Sequence, residues 1–359
     1  MTIVTFNVIK VLFLSALSAT LSLIWAPILT KFLYQFKFWK RKPREKTITG
    51  ERAGIIYNLH KKREVSVPRG GGLLIWVSVL FIIFLFFILS EVSEIWWLQR
   101  FNFLSRGETW LPLFALVAGS IVGLLDDILL IFGKGKYIGG GMRFTRRLAI
   151  VILIGLIGGW WFYYKLDWDT IHIPLIFNFP QGVDLPIGFW YIPLFVLVMV
   201  SSFAGGVIDG LDGLAGGIFA SIFGAFTIIA FSQGKADLAA FCAVILGTLF
   251  TFLWFNIPPA RFYMGETGIL GLTSVMAVTA FLTDSVMVLP IIAGPMVIEV
   301  GSIILQLLSK KFRHKKIWLA TPIHHHFEAG GWPPYKVTMR FWIISIVFAI
   351  VGVTIRLFS

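Results

Sequence analysis

The chain has 359 residues, of which 57% are hydrophobic and only 14% are charged, and its formal net charge is +13. Soluble domains usually carry about 25% charged residues, so the charged fraction of this chain is low for a soluble protein. The many long uncharged runs exclude a soluble fold, because such a fold lacks enough polar surface to cover them. A single cysteine, Cys242, excludes an internal disulfide and a cysteine-based metal site.

About ten apolar runs approach the roughly 20 residues that a helix needs to cross a bilayer. They predict an all-α, polytopic transmembrane helix bundle, and the short linkers predict one membrane domain over residues 1–359. The first run lacks a small-residue cleavage site and is expected to be retained as a span. Only a few residues separate the fifth run from the sixth, so the boundaries of one of these two spans stay open. The predicted spans are 3–33, 70–90, 111–132, 148–165, 187–207, 213–231, 238–256, 267–284, 287–308 and 341–357.

The basic residues are distributed unevenly between the two sides of this bundle. Twenty-five of the 31 Lys and Arg residues fall in 31–69, 133–147 and 309–340 or at Arg261, all after odd-numbered spans. The positive-inside rule therefore predicts that these loops face the cytoplasm and that both termini lie outside. The pattern argues against nucleic acid as a partner. It is compatible with simple orientation and with attraction of anionic lipids or phosphorylated substrates.

Two acidic motifs lie at span ends. Asp126 and Asp127 occur in GLLDDILL after the third span, and Asp209 and Asp212 occur in VIDGLDGLAGG between the fifth and sixth. Carboxylates at a membrane edge are costly to desolvate, and they are suited to holding a divalent cation or accepting a proton. The i, i+3 spacing of the second pair places both side chains on one face if the segment is helical. Solvated loop-edge charges and close helix packing at the glycines are the plain alternatives.

Two further motifs carry polar groups. FNIPPARFYMGETG, residues 255–268, has Asn256 at a span end and Glu266 between two glycines, although it could be a structural turn only. TPIHHHFEAGGW, residues 321–332, has three consecutive histidines that cannot all face one way, which predicts a loop. Histidine can transfer protons, bind phosphate or ligate a metal. A zinc site is possible but lacks the i, i+4 spacing of a helical pair, and a solvated loop is the alternative.

All four motifs fall on the predicted cytoplasmic face, although that face was assigned from Lys and Arg residues alone. Carboxylates, basic residues and histidines that converge at a membrane surface suggest phosphoryl transfer to a lipid. Mg²⁺ is the expected cofactor, because it binds through one or two carboxylates together with substrate phosphates.

At these residues the sequence resembles the polyprenyl-phosphate hexosamine-1-phosphate transferase superfamily, from about Pro68 to Trp342. TPIHHHFEAGGW and the following KVTMRFWIIS are most similar to its MraY family, whereas LLDD, DGLDGLA and LWFN are shared more widely. The resemblance implies ten spans, a homodimer, Mg²⁺ dependence and a place in the bacterial inner membrane. It implies transfer of phospho-MurNAc-pentapeptide from UDP-MurNAc-pentapeptide to undecaprenyl phosphate, which gives lipid I and UMP. That reaction is the first membrane step of peptidoglycan synthesis, on which cell wall biogenesis, cell shape and cell division depend.

The resemblance also assigns roles, residue by residue. The implied catalytic residues are Asp126, Asp127 and His324, and the implied metal ligands are Glu266 and Asp127. The implied substrate-binding residues are Asp209, Asp212, Asn256, His325, His326, Arg69 and Arg147.

The chain departs from the family pattern at several of its functional positions. Glu266 replaces the metal-binding aspartate of MGDxGS, and its longer arm must retract to hold Mg²⁺ at about 2.0–2.1 Å. Gly206 stands where the family has an asparagine, and Leu130 where it has a lysine. Arg69 and Arg147 could supply charges that the family takes from other positions. These departures bear on the identity of the donor more than on the reaction class.

Several hypotheses therefore stay open on the sequence. The runner-up is a sister transferase that moves another N-acetylhexosamine-1-phosphate, such as GlcNAc-1-phosphate, onto a polyprenyl phosphate. A transporter or channel would place ionisable residues near span centres and could show inverted repeats, and neither is visible here. A catalytically silent homologue is a third possibility. The sequence also leaves open whether the lipid phosphate attacks directly or an aspartyl-phosphate forms first.

Overall fold

The computed structural model describes residues 2–41, 43, 54–105, 107–133, 141–174 and 181–359. Almost all of the regular secondary structure in these ranges is helical, which confirms the predicted all-α polytopic class. Some of the basic residues counted above, Lys134 and Lys136 among them, lie outside the described residues.

Within the described ranges, nine helices are long and apolar enough to cross a membrane. Seven of them follow the predicted spans closely, and the fifth and sixth are separate helices joined by a short turn. The nine are α1 (Ile3–Gln35), α3 (Gly72–Val92), α5 (Trp110–Phe132), α6 (Phe144–Lys165), the segment Gly188–Ile208 with α7 (Tyr191–Ala204) at its centre, α8 (Leu214–Ser232), α9 (Ala236–Asn256), α10 (Gly265–Leu282) and α14 (Pro334–Phe358).

Five shorter or more polar helices complete the set: α2 (Gly54–Glu64), α4 (Trp96–Phe101), α11 (Leu289–Ile292), α12 (Gly294–Arg313) and α13 (Ile323–Ala329). The ninth predicted span, 287–308, is divided at Ala293 into α11 and α12, each of which has a proline in its first turn. α12 is amphipathic, because it buries Glu299 and Gln306 and exposes apolar side chains on its other face.

The helices differ in how deeply they are buried. In the most apolar stretch of α10, 94% of the residues are buried, whereas the corresponding shares are 22% in α14 and 28% in α1. α10 packs mainly against α5, α7 and α3, and the outer helices direct large apolar side chains away from the protein. This is the arrangement expected of a bundle whose outer helices face lipid.

α5 and α10 pack closely through small residues. A Cβ atom added at Gly123 would lie 2.0 Å from the carbonyl oxygen of Glu266, and one at Gly119 would lie 2.6 Å from that of Leu270. Glycines four apart on one helix face allow two backbones to approach in this way. The contact brings the carboxyl end of α5, which carries the Asp126–Asp127 pair, against the first turn of α10.

Two short strands, β1 (Thr170–Ile173) and β2 (Val183–Pro186), form an antiparallel hairpin between α6 and α7. His172 and Asp184 face each other across it, with Nδ1 2.8 Å from Oδ1. Because the hairpin follows the end of α6 and the acidic pair precedes its beginning, the two lie at opposite ends of the bundle. The pattern of the sequence between the fourth and fifth spans did not predict these strands.

Candidate active site

The acidic motifs meet at one end of the bundle. α5 contributes Asp126 and Asp127 from its last turns, the turn after α7 contributes Asp209, and the first turn of α10 contributes Glu266. Backbone amides of Gly265 and Thr267 bridge these elements, as described below. The predicted convergence of the separate motifs on one face is therefore present in the fold.

Asp127 lies at the centre of this group, and its side chain is fully buried. Its Oδ2 accepts a hydrogen bond of 3.0 Å from the backbone N–H of Thr267 in α10. Its Oδ1 lies 3.6 Å from Nε of Arg69 and has no hydrogen-bond donor among the described residues. A buried carboxylate oxygen without a donor is costly unless a cation or ligand completes it.

Arg147, from the first turn of α6, joins two acidic motifs. Its Nη1 lies 2.6 Å from Oε1 of Glu266 and 3.4 Å from Oδ2 of Asp126. The other oxygen of Asp126 accepts a short hydrogen bond from the backbone N–H of Met142. Arg147 thus neutralises part of the charge that Asp126 and Glu266 bring together.

Arg69 serves the other two carboxylates. Its Nε faces Asp127, and its Nη2 lies 3.9 Å from Oδ2 of Asp209, which also accepts a hydrogen bond from Gly265 N–H at 3.1 Å. Burial alone would lower the pKa of Arg69, but Asp127, Asp209 and Glu266 together raise it, so the guanidinium stays charged. Burial raises the pKa of Asp209, against the opposing effect of Arg69.

The glycines after Arg69 fix its position. Gly71 N–H donates to the carbonyl of Tyr263 at 2.8 Å, and Tyr263 N–H donates back to Pro68 at 2.8 Å. A Cβ atom at Gly72 would lie 2.2 Å from the backbone nitrogen of Gly268, so only glycine permits this approach. The PRGGG segment is thereby held against the beginning of α10.

Asp212 and Asn256 hold the loop between α9 and α10. Asp212 Oδ2 accepts from Ala260 N–H at 3.0 Å and lies 2.5 Å from Nη2 of Arg63 in α2. Asn256 Oδ1 accepts from Gly213 N–H at 2.9 Å, and its Nδ2 donates to the carbonyl of Phe262 at 2.7 Å. The substrate-binding role that the resemblance implies for both residues stays a prediction, and in the structure their side chains brace the polypeptide around the site.

The histidine motif is helical in the structure, so the prediction of a loop is wrong. Within the motif, Ile323–Ala329 form α13, and Pro322 directly precedes the helix. The expectation that the three rings diverge is met, because His326 Nδ1 accepts from Leu319 N–H at 3.3 Å, away from the other two. A helix spaces successive side chains about 100° apart, which separates them as a loop would.

His324 is fully buried between α12 and the DGLDG turn. Its Nδ1 lies 3.0 Å from Oε2 of Glu299, and a Cβ atom at Gly210 would lie 2.3 Å from its Nε2. Sequence reasoning missed Glu299, although a single acidic residue in an otherwise apolar run was a usable signal.

His325 turns instead toward α2. Its Nδ1 lies 3.0 Å from Oε2 of Glu328, and the same oxygen lies 2.9 Å from Nε2 of His60. Burial and the neighbouring His324 lower the pKa of His325 to about 4. Burial alone would raise the pKa of Glu328, but hydrogen bonds from His325 and His60 lower it to about 2. His60 and Glu328 were also missed by sequence reasoning.

The oxygen ligands fit a hard divalent cation. Four carboxylates, those of Asp126, Asp127, Asp209 and Glu266, face two guanidinium groups, which leaves an excess of negative charge. Among the described residues these carboxylates do not form a close three-ligand group. Mg²⁺ usually binds through only one or two carboxylates together with substrate phosphates. The Oδ1 of Asp127, which accepts no hydrogen bond from the described residues, is consistent with a role as one of these ligands.

The departure at Gly206 is coupled in space to a second one. A Cβ atom at Gly206 would lie 2.4 Å from Cγ2 of Ile269, the residue that replaces the final serine of MGDxGS. The larger isoleucine occupies the space that a side chain at 206 would need, so the two departures compensate each other sterically.

Comparison with known proteins places this geometry in a family. Residues 109–284, which include Asp126, Asp127, Asp209 and Glu266, match the family model for Glycosyl transferase family 4. A phospho-N-acetylmuramoyl-pentapeptide-transferase of Geobacillus sp. (strain WCH70) is 33% identical over 95% of this chain and 96% of its own length. That of Anoxybacillus flavithermus is 32% identical over 96% and 98%, and that of Latilactobacillus sakei is 35% identical over 73% and 79%. This chain belongs to the phospho-N-acetylmuramoyl-pentapeptide-transferase family.

Proposed function

We propose that the chain transfers phospho-MurNAc-pentapeptide from UDP-MurNAc-pentapeptide to undecaprenyl phosphate, and that lipid I and UMP are the products. The observation that carries the proposal is the convergence of four carboxylates with Arg69 and Arg147 at one end of an apolar bundle. The similar proteins named above all carry the name of this transferase, so a donor such as UDP-GlcNAc is not favoured.

In this reaction one bond forms and one bond breaks at the β-phosphorus of the donor. An oxygen of the lipid phosphate bonds to that phosphorus, and the bond to the bridging oxygen breaks, so that the oxygen leaves with UMP. Asp126 and Asp127 have buried carboxylates that already accept backbone hydrogen bonds. A covalent aspartyl-phosphate would require one of them to reach the donor, so this burial favours direct attack.

Arg69 and Arg147 are suited to bind phosphate oxygens, because a guanidinium presents paired N–H donors to them. In the structure both are held in place by carboxylates, which orients them for the substrate. His324 and the backbone at Gly210 form the neighbouring wall, and we assign them to the nucleotide-sugar side of the site. Mg²⁺, bound by Asp127 and Glu266, would neutralise the diphosphate and stabilise the departing UMP.

The proposed setting is the inner membrane of a bacterium, with the site open to the cytoplasm, where UDP-linked precursors occur. The clustering of 25 of the 31 Lys and Arg residues in loops on the predicted cytoplasmic side supports this orientation. We propose a homodimer on the strength of the family resemblance.

The test is UMP release by the purified protein in detergent with undecaprenyl phosphate, Mg²⁺ and each UDP-sugar in turn. We expect release with UDP-MurNAc-pentapeptide and none with UDP-GlcNAc. The reverse pattern would contradict the proposed donor, and release with neither would contradict the proposed activity.

A matched pair of variants tests the site. Glu266→Gln removes the charge that faces Arg147, and we expect transfer to fall at least about a hundredfold. Asp126→Asn and Asp127→Asn should act in the same direction. Glu108→Gln is the control, because Glu108 accepts a hydrogen bond from Leu238 N–H at the other end of the bundle. Equal activity of Glu266→Gln and Glu108→Gln would contradict the assignment.

A further inference from the structure

Three metal-ligating side chains meet beside the site already described. His60 lies on α2, and His325 and Glu328 lie on α13. Glu328 Oε2 is 2.9 Å from Nε2 of His60 and 3.0 Å from Nδ1 of His325. Among the described residues, this is the one group of three or more such side chains whose ligand atoms all lie within 4.8 Å of one another.

The donor set suits zinc, and it also suits other first-row transition metals such as Fe²⁺. Two imidazole nitrogens and one carboxylate oxygen, with a fourth position for water, form a common tetrahedral zinc site. Mg²⁺ and Ca²⁺ instead prefer oxygen ligands throughout. With zinc–ligand distances of about 2.0–2.2 Å, neighbouring ligand atoms of a tetrahedron lie about 3.3–3.5 Å apart. The two contacts of Glu328, with His60 and His325, therefore need to open by only a few tenths of an ångström, and the two imidazole nitrogens lie within 4.8 Å of each other.

The three side chains are largely withdrawn from solvent. The exposed fractions are 19% for His60, 9% for His325 and 5% for Glu328. A single carboxylate oxygen is approached by two imidazole nitrogens, an arrangement that a metal ion could replace without moving either helix far.

We propose that His60, His325 and Glu328 bind one zinc ion, which fastens α2 to α13. α2 has only 11 residues, and an isolated helix of that length is marginal in water. Its other charged contacts among the described residues include Arg63 with Asp212 and Glu64 with Lys40, the latter at 2.7 Å. A metal cross-link would hold α2, and with it Arg63, in place beside the DGLDG turn.

Zinc content tests the proposal directly and needs no substrate, so its outcome is independent of the proposed transferase activity. The full chain is purified in detergent with an affinity tag that contains no histidine, loaded with zinc, dialysed and analysed for metal. We expect one zinc per chain in the wild type. His60→Gln should bind zinc at least about tenfold more weakly, because one of three ligands is lost.

His172→Gln is the matched control, because His172 also pairs with a carboxylate but has no third ligand in the described part of the chain. It should retain one zinc. Glu328→Gln keeps an acceptor oxygen for the histidines but loses the charge, so it should lose zinc even if His60→Gln is poorly folded. A wild type without bound zinc, or equal zinc in His60→Gln, would overturn the proposal.

Hydrogen exchange gives a second measurement. Zinc should slow amide exchange across residues 54–64 in the wild type and in His172→Gln. It should have no effect in His60→Gln. Unchanged exchange in the zinc-loaded wild type would show that no ion links α2 to α13.

Discussion

At the scale of single residues, the site depends on contacts between positions far apart in the chain. Asp127 meets Thr267, Asp212 meets Arg63, and Glu328 meets His60. Each pair joins a carboxylate to a donor that lies on another element. The spacing of residues along the sequence does not show which residues form such pairs. Their charge and their position at helix ends do indicate that they belong to a site.

The His325–Glu328 contact predicts a dependence of stability on pH. The pKa of His325 falls from 6.5 to about 4 on folding, and that of Glu328 falls from 4.5 to about 2. Both groups therefore bind protons more weakly when folded, so stability is retained above pH 6.5 and is lost as the pH falls. Between pH 6.5 and 4 the loss attributable to His325 should be about 3 kcal/mol.

Thermal unfolding in detergent with a chelator, followed from pH 7 to pH 4, measures this loss. His325→Gln should show a shallower decrease of the unfolding midpoint with falling pH. His314→Gln, at an exposed position after α12, should follow the wild type. A decrease equally steep in His325→Gln would contradict the assignment.

Gly206 and Ile269 predict a coupled pair of substitutions. Gly206→Asn places a side chain against Cγ2 of Ile269, and overpacking of this kind costs about 1–3 kcal/mol. Ile269→Ser removes the obstructing carbons, so the double variant should regain much of the loss. The unfolding midpoints of the wild type, both single variants and the double variant form a cycle that measures the coupling. Additive effects would show that the two positions are independent.

At the scale of elements, the close approach of α5 and α10 places the acidic pair. The hydrogen bond from Thr267 to Asp127 can form only because the two helix backbones nearly touch at Gly123. The first turn of α10 also directs Gly265 and Thr267 N–H groups at carboxylates, as the beginning of a helix favours. Helix packing and helix polarity thus combine at one point.

Gly123→Ala tests this packing. The added Cβ would meet the carbonyl of Glu266, and we expect a loss of about 1–3 kcal/mol in stability together with reduced transfer. Gly301→Ala in α12 is the matched control, because a Cβ there meets nothing within 4 Å. Thermal unfolding and UMP release are measured for both. If Gly123→Ala behaved like Gly301→Ala, the close approach would not be needed.

At the scale of the whole molecule, the orientation in the membrane follows from the distribution of basic residues. The hairpin end is predicted to lie outside and the end with the acidic site inside. Cys242 is fully buried, so it should give little background in thiol labelling. Asp184→Cys on the hairpin should react with a membrane-impermeant maleimide on intact cells, whereas Lys315→Cys should react only after lysis. Labelling in the opposite order would invert the topology.

The pattern of apolar and charged residues along the chain is sufficient to predict the class of fold and the acidic and histidine motifs of the candidate site. Apolar runs determined the helices because each must satisfy its backbone within the membrane, and the acidic and histidine motifs were visible as charges that such runs rarely tolerate. It misjudged the histidine motif as a loop, and it did not separate α11 from α12.

Only the tertiary structure decided which side chains meet. It shows that Asp212 and Asn256 form hydrogen bonds to the α9–α10 loop, that Glu299 lies beside His324, and that His60 of α2 lies beside His325. These contacts depend on which helix faces pack together, and that is set by small residues such as Gly123 and by the filling of space across the bundle. Such packing depends on pairs of segments that are distant in the chain. The apolar runs and motifs of a single sequence therefore show which polar side chains are present but not which side chains they contact.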